Sequence, residues 1–346
     1  MGEENNYSPY IIIGKLSRDF ILTDKGEDVS DIPGGHIIYT AIGMSPKEKH
    51  PGIVARIGKN YPEKFLELLK KYEFSTHGIK KVDSNLDQRN FISFFQQEFF
   101  NDADPRKQLS VLSQYFKAGK SFPKELLGYN KKINNGDSLT ERTAETILAR
   151  DIPSEYLEAR SIHLCPLDYL SHNLLPQAFP GGNQRTITIH AGNGYMHPYF
   201  FEGVKTLVNG VTAFIVRERQ VRNLFFEKYR ISKLEDMMKI LLDYGAENIV
   251  IKQEDRSYIF INRGDLIVKK LRIEIEGPYE KIGELSCFCG GYIVGLNETY
   301  DYIKAVALGV ARASMLQNDW NPYNNLNIFE TLLDEKARIL ENRIEG

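Results

Sequence analysis

The residues whose types and spacing could do chemistry lie in a turn that leads into a glycine-containing segment. Gly283, Glu284 and Ser286 form this turn, and an apolar stretch follows at residues 287–296. A glycine turn before a helix lets backbone N–H groups point at an anion, because the positive end of the helix dipole lies there. Taking a proton from a hydroxyl requires a carboxylate within hydrogen-bonding reach. Ser286 titrates too far above neutrality to be that base unaided, and Glu284, two residues upstream, is the other candidate.

A second group of chemically capable residues lies near the N-terminus. Asp19 follows an apolar segment, and a carboxylate at a strand end can accept hydrogen bonds from two hydroxyl groups, which suits a polyhydroxylated ligand. A turn or capping role is the alternative for Asp19. Gly34 and Gly35 follow, and paired glycines let a ligand approach the backbone closely. His36 comes directly after them and is predicted to face the ligand.

Histidines and cysteines give weaker signals. His190 and His197 lie in a glycine-rich segment and titrate near neutrality, so they are candidates for acid, base or metal ligand. Their spacing of seven is not a metal signature, and ordinary loop histidines are the alternative, so no metal site is predicted. His163 is predicted at a strand end under the same site. The three cysteines are too few for a disulfide framework, which indicates a reducing compartment and packing roles.

Composition limits the class of protein. The 346 residues, 42% hydrophobic and 26% charged, can bury one large core, or a core with a small appended lid. The formal net charge of −2 gives no reason to expect nucleic acid or an anionic membrane as a partner. No apolar run reaches the length that spans a bilayer, and residues 10–14 are too short for a signal peptide. A cytoplasmic location is the expectation.

The order of apolar patterns predicts the architecture. Short β-branched runs alternate with longer helical patterns, which favours a mainly parallel sheet covered by helices. The predicted strands are residues 10–13, 52–57, 161–164, 186–190, 213–216 and 248–252. The predicted helices are residues 63–74, 199–209, 218–229, 234–244, 300–315 and 330–343.

One region interrupts this alternation. Residues 101–137 are rich in Lys, Asn, Gly and Asp and are longer than an ordinary connection, so they are predicted to be an insertion. A place near the ligand mouth and a role in binding a partner are both open for it. The chain is predicted to form one α/β domain over residues 1–330, with lid elements within about 14–100, and a C-terminal helical tail at 331–346.

These motifs together resemble the ribokinase family, also called the PfkB carbohydrate kinases, over nearly the whole chain outside the insertion and the tail. The resemblance implies a three-layer α/β/α fold with a small β lid and a sugar or nucleoside as ligand. If the protein is active, it implies ATP and magnesium as well. It also implies a possible homodimer through the lid. The segments that carry it are residues 13–19, 33–41, 53–60 and 283–296.

The resemblance assigns roles to individual residues. The residues implied in substrate binding are Asp19, Gly34, Gly35, His36, Tyr39 and Asn60. Those implied in nucleotide binding are Gly283, Arg217, Gln220 and Lys252.

The chain departs from the family at several of these positions. Ser286 stands where the family has the aspartate that takes the hydroxyl proton. Arg217 and Gln220 replace the Asn and Glu of a motif tied to magnesium and phosphate, and residues 249–257 have lost two glycines and gained two carboxylates. The first hypothesis is therefore a pseudokinase that binds a small metabolite or a partner protein. The alternatives are a diverged active kinase that uses Glu284 or a substrate group as base, and another reaction that uses His190 or His197.

Overall fold

The computed structural model describes residues 8–48, 50–95, 110–129, 137–179, 185–226, 231–273, 280–317 and 320–346. Their strands form two sheets. The strands of the larger sheet are β1 (Tyr10–Ile13), β4 (Gly52–Gly58), β5 (Ser75–Val82), β7 (Ser161–Leu164), β8 (Thr186–His190), β9 (Ala213–Arg217), β10 (Asn248–Lys252), β11 (Tyr258–Asn262) and β12 (Lys269–Leu271). The strands of the smaller sheet are β2 (Ser17–Leu22), β3 (Asp28–Gly34) and β6 (Arg89–Ser93).

The larger sheet has the strand order β12-β11-β10-β9-β8-β7-β1-β4-β5. The seven strands from β10 to β5 in this order pair in parallel, and β11 and β12 continue the sheet in antiparallel pairing. A parallel arrangement requires a crossover between successive strands, and helices supply it here. The smaller sheet has the order β3-β2-β6 and forms the lid.

Helices cover both faces of the large sheet. Their bounds are α1 (His36–Met44), α2 (Glu63–Lys71), α3 (Val111–Lys117), α4 (Tyr169–Leu174), α5 (Phe201–Val208), α6 (Glu218–Leu224), α7 (Leu234–Asp243), α8 (Glu284–Thr299), α9 (Tyr302–Ser314) and α10 (Glu330–Glu341). The expected three-layer α/β/α architecture is therefore confirmed.

The alternation of strand side chains divides the core into two layers. In β10, Ile249 and Ile251 pack with α4–α7 on one face, whereas Val250 packs with α8–α10 on the other. Successive strand residues point to opposite faces, so an uninterrupted apolar run is what a strand covered on both sides requires. The six strands predicted from such runs are all present.

The lid also has a small core of its own. Phe20 and Leu22 of β2 pack with Phe91 of β6 and with Tyr115 and Leu126 from the segment 110–129. Residues 101–109 and 130–136 of the predicted insertion lie outside the described residues. Because neighbours along a strand point to opposite faces, this core covers the face of the lid opposite to Asp19. The possible homodimer through the lid stays a prediction, and it would have to use a lid surface other than this covered one.

The C-terminal segment packs onto the large domain. Leu333 and Leu340 of α10 join the core cluster of α8 and α9, and Glu345 forms a bridge with Lys270 of β12. In the part of the chain that the structure describes, no helix is both long enough and apolar enough to cross a membrane.

Candidate ligand-binding site

A cleft of about 730 Å³ lies between the lid and the carboxyl ends of the large sheet. Ligands of open parallel sheets bind at this edge, because the loops that follow the strands meet there. The lid contributes Asp19 and Asn90, the strand ends contribute His190 and Arg217, and the first turn of α8 contributes Ser286.

The lid end of the cleft contains a buried carboxylate. Asp19 is 2% exposed, and its Oδ1 accepts hydrogen bonds from Ser17 Oγ at 2.6 Å and from Asn90 Nδ2 at 3.2 Å. Burial raises its pKa to about 6, although both hydrogen bonds favour the charged form. Among the described residues no hydrogen-bond donor is found for Oδ2 of Asp19, which lies against Gly34. Gly34 is required beside it, because a Cβ at residue 34 would overlap the carboxylate.

The other residues implied in substrate binding divide into two groups. Gly35, His36 and Tyr39 line the cleft. Asn60 instead holds a turn: its Oδ1 accepts from the backbone N–H of Leu86, and its Nδ2 donates to the carbonyl of Leu86. Asn60 does not line the cleft itself, but it holds the backbone of Leu86, which does.

The turn before α8 depends on Gly283. This residue has φ 74° and precedes the helix as its N-cap. A Cβ there would overlap the ring of Tyr39. Glycine is needed both for the left-handed backbone and for the close approach of this ring.

Three ion pairs among two cations and two carboxylates occupy the region beside this turn. Arg217 binds Glu280 with both terminal nitrogens at 2.7 Å. Lys252 is 3.0 Å from Glu280 and 2.5 Å from Glu284, and it is buried. Burial alone would raise the pKa of Glu280, but Arg217 and Lys252 outweigh this and lower it to about 2. The two cations and two carboxylates thus neutralise one another at the start of α8.

Gln220 is buried beside these ion pairs and is hydrogen-bonded to two neighbouring segments. Its Oε1 accepts from the backbone N–H of Arg217 at 2.9 Å, and its Nε2 donates to Asn193 Oδ1 at 2.5 Å. Gln220 therefore fixes the loop after β8 against α6. Arg219 lies on the exposed side of the same helix, lines the cleft and has no acidic partner among the described residues.

Ser286 is hydrogen-bonded to a histidine at the start of α1, the helix that packs against α8. The distance from Ser286 Oγ to His36 Nδ1 is 2.7 Å, although the two residues are 250 positions apart in the chain. The His36 ring is open to the cleft, yet much of its surroundings is protein, and desolvation together with Arg217 and Lys15 lowers its pKa to about 4. His36 is therefore neutral at physiological pH.

Comparisons with known proteins identify the architecture. No family model and no curated protein matches the sequence. A proposed ribokinase II from E. coli, solved with ATP and Mg²⁺, is 12% identical, with 97% of this chain and 99% of that chain covered and a TM-score of 0.66. Ribokinase from Thermotoga maritima is 17% identical, with coverages of 97% and 100% and a TM-score of 0.61. Arabidopsis thaliana ribokinase, solved with ribose and ATP, is 11% identical, with coverages of 97% and 99% and a TM-score of 0.61.

The chain has the ribokinase-like fold. Its match extends over nearly the whole length of each of these kinases, so the lid and the large sheet are both part of it. The fold resemblance expected from residues 283–296 and from the N-terminal motifs is confirmed.

The remaining histidines of this ribokinase-like domain have different surroundings. His190 lines the cleft and packs edge-on against His36, with ring centroids 5.5 Å apart. His163 shares a hydrogen bond of 2.8 Å with Thr188 Oγ1 inside the sheet. His197 is exposed, and its Nδ1 accepts from the backbone N–H of Tyr199 as a helix cap. Within the described ranges, no three His, Cys, Asp or Glu side chains are grouped so that they could hold a metal ion.

Two residues of the cleft lining, Asn90 and Arg219, were not among the residues predicted for the site. Asn90 lies in β6, which reads Arg-Asn-Phe-Ile-Ser over Arg89–Ser93. Strict alternation of polar and apolar residues, the signal of a half-buried strand, is absent there, so the place of Asn90 depends on the pairing of β6 with β2. Arg219 carries no local signal either, because its position depends on how α6 packs beside the cleft.

Proposed function

We propose that the protein is a ribokinase-like pseudokinase that binds a small polyhydroxylated metabolite, a sugar or a nucleoside, without ATP-dependent phosphotransfer. The observation that carries this proposal is the ion-pair network at the start of α8, where Arg217 and Lys252 are paired with Glu280 and Glu284.

The network leaves little positive potential for phosphates. A triphosphate needs uncompensated cations or magnesium beside the transferred group. Here Arg217 and Lys252 already have carboxylate partners, and an incoming phosphate would meet the charge of Glu280 and Glu284 at short range. Two lining cations have no acidic partner among the described residues: Arg219 lies on the exposed side of α6, where water and salt screen its charge, and the Nζ of Lys281 donates to the carbonyls of Ser314 and Leu316. Arg219 is the more accessible of the two. We expect it to support at most weak nucleotide binding that does not depend on magnesium.

Among the described residues, the start of α8 also lacks a free carboxylate that could take the proton of a substrate hydroxyl, which favours the same proposal. Ser286 is a hydroxyl, not a carboxylate, and Glu284 has both oxygens engaged. Its Oε1 binds Lys252, and its Oε2 accepts from the backbone N–H of Lys281 at 3.2 Å. To serve as base, Glu284 would have to abandon a buried cation, which is costly in free energy.

The lid end of the cleft supports a hydroxylated ligand. Asp19 lines the cleft, its Oδ1 is held by Ser17 and Asn90, and no described group donates to its Oδ2. The Arabidopsis relative in fold was solved with ribose and ATP, and this favours sugars as the first compounds to test.

The test is isothermal titration of the purified protein with MgATP and, separately, with a panel of pentoses, hexoses and nucleosides. We expect no saturable heat with MgATP at high micromolar concentration and saturable heat with at least one hydroxylated compound. Asp19→Asn should weaken that binding. Asp31→Asn is the matched control, because Asp31 is also a lid carboxylate but is paired with Arg18 and lies outside the cleft lining.

Two results would overturn the proposal. One is saturable ATP binding that requires magnesium, together with a phosphorylated sugar or nucleoside detected by mass spectrometry. The other is the absence of binding by every hydroxylated compound in the panel while the protein stays folded.

A further inference from the structure

We propose that Ser286 and His36 form a nucleophile–base pair that hydrolyses a carboxylic ester of a hydroxylated compound bound in the cleft. The hydroxylated ligand rests on the function proposed above, whereas the pair itself rests on separate observations.

The first observation is the geometry of the pair. Ser286 Oγ lies 2.7 Å from His36 Nδ1, which is within the distance for proton transfer from a nucleophile to its base. Both residues line the cleft, and His36 is open to it. No carboxylate is bonded to His36 in the described part of the chain, so this is a two-residue arrangement without an acidic third member.

The second observation is the environment of the nucleophile. Ser286 is the third residue of α8, a helix of 16 residues, and it is 1% exposed. The backbone N–H of Glu284 donates to Lys281, and that of Cys287 donates to Gly283. Within the described chain this leaves the N–H groups of Leu285 and Ser286 without an acceptor, at the positive end of the helix dipole. Two such donors can stabilise the oxyanion of a tetrahedral intermediate.

The third observation is an unpartnered histidine in contact with the pair. His190 is 4% exposed, lines the cleft and packs against the His36 ring. Its Nδ1 is buried and has no hydrogen-bond partner in the described residues. A buried polar atom without a partner costs free energy, so such an atom beside a cleft points to a ligand that completes it.

The charges around the pair favour acyl transfer over phosphoryl transfer. An acyl intermediate develops one negative charge on one oxygen, and neutral N–H donors suffice to stabilise it. Phosphoryl transfer spreads charge over three oxygens and uses cations. The nearby cations Arg217 and Lys252 are engaged with Glu280 and Glu284.

The reaction then has two steps. In the first, Ser286 Oγ attacks the ester carbonyl carbon and its proton passes to His36. The bond from the carbonyl carbon to the alcohol oxygen breaks, His36 returns the proton to this oxygen, and the acyl group stays on Ser286. In the second, water attacks the acyl carbon and gives a proton to His36, the carboxylic acid leaves, and the proton returns to Ser286. No oxidant or further reactant is needed.

The experiment uses a fluorophosphonate probe, which modifies activated serines with loss of fluoride and requires no sugar binding. The whole protein is labelled, digested and examined by peptide mass spectrometry. We expect the adduct on Ser286, none on that peptide in Ser286→Ala, and a rate in His36→Gln lower by about a hundredfold. Ser161→Ala is the matched control, because Ser161 is equally buried at 1% exposure and lies outside the cleft lining. It should be labelled at the wild-type rate.

A second assay measures acetate release from acetylated ribose. Release by the wild type and by Ser161→Ala, but not by Ser286→Ala, supports the proposal. The proposal is overturned if the probe leaves Ser286 unmodified, if His36→Gln is labelled as fast as the wild type, or if Ser286→Ala still releases acetate. These results are separate from the titrations with sugars. Sugar binding without labelling would refute only the nucleophile, and labelling without sugar binding would refute only the hydroxylated ligand.

Discussion

Replacing Asp19 with asparagine should stabilise the protein and weaken its ligand binding at the same time. Asparagine keeps the shape of the side chain and the oxygen that accepts from Ser17 and Asn90. It removes the buried charge and replaces Oδ2 with an amide nitrogen. The site therefore loses the acceptor for a ligand hydroxyl, whereas the fold loses an unfavourable charge.

The size of the stability effect follows from the pKa. Burial raises the pKa of Asp19 from 3.8 to about 6. Each pKa unit corresponds to about 1.4 kcal/mol, so the buried charge costs about 3 kcal/mol above pH 6. Because the pKa is higher in the folded protein, protonation favours folding. The contribution of Asp19 is fully present below pH 3.8 and is lost as the pH rises through about 6.

The assay is urea unfolding of the wild type and of Asp19→Asn between pH 4 and pH 8. Asparagine does not titrate, so the variant should match the wild type near pH 4 and exceed its free energy of unfolding by about 3 kcal/mol near pH 8. A difference that does not change with pH, or a variant less stable near pH 8, would refute the reasoning.

Asp31→Asn is a control for which we expect the opposite change in the free energy of unfolding. Burial alone would raise the pKa of Asp31, but Arg18 and Lys64 lower it below its usual value. The charged form of Asp31 therefore favours folding, and this stability is present above its unfolded pKa and lost as the pH falls through the folded one. Asparagine also tolerates the left-handed backbone of residue 31, where φ is 55°. We expect Asp31→Asn to be less stable than the wild type near pH 8.

Two further predictions concern the turn before α8. Lys252→Met removes the buried cation that Glu284 binds, so the free energy of unfolding should fall by about 3–5 kcal/mol, measured by urea unfolding. Adding Glu284→Gln should restore part of it, and equal stability of the single and double variants would contradict this. Gly283→Ala combines a left-handed backbone with overlap of the Tyr39 ring, whereas Gly210→Ala has a similar φ of 77° and no neighbour within 4 Å of the added Cβ. We therefore expect Gly210→Ala to lose about 1–2 kcal/mol in the same assay and Gly283→Ala to lose clearly more. Equal losses would show that Tyr39 does not constrain the turn.

The sequence predicts the large sheet because its strands are short apolar runs covered on both faces. The runs at Tyr10–Ile13 and Asn248–Lys252 can be recognised as strands from their own residues. Successive side chains of each strand pack into the cores on the two faces of the sheet, so the whole run is mostly apolar. The lid strands lack this property. Strand β3 reads Asp28–Gly34 with two aspartates, a proline and a glycine, because only part of it is buried. Local patterns therefore define the large domain better than its lid.

The contacts within the candidate site are harder to predict from the sequence than the strands are, for a different reason. Asp19 and Gly34 could be singled out because residues 13–19 and 33–41 resemble segments in which the ribokinase family binds its substrate. The contact between Ser286 and His36 joins residues 250 positions apart, and the pair Lys252–Glu284 joins residues 32 apart. No local pattern encodes such a pairing. It depends on the connections that bring the starts of α1 and α8 and the end of β10 to one edge of the large sheet.

Under the proposed function, the pairing of Arg217 and Lys252 with Glu280 and Glu284 sets which ligands we expect the cleft to favour. If Arg217 and Lys252 were unpaired, a phosphate would gain attraction from both, in a region where protein surroundings reduce screening. With Glu280 and Glu284 present, the same phosphate must displace or oppose two carboxylates before it gains anything. A neutral hydroxylated ligand meets no such cost, since Ser286, His36 and the N–H groups of α8 are neutral hydrogen-bonding groups. Under the proposed function, Ser286 in place of a carboxylate base and the pairing of the cations both favour neutral ligands over nucleotides.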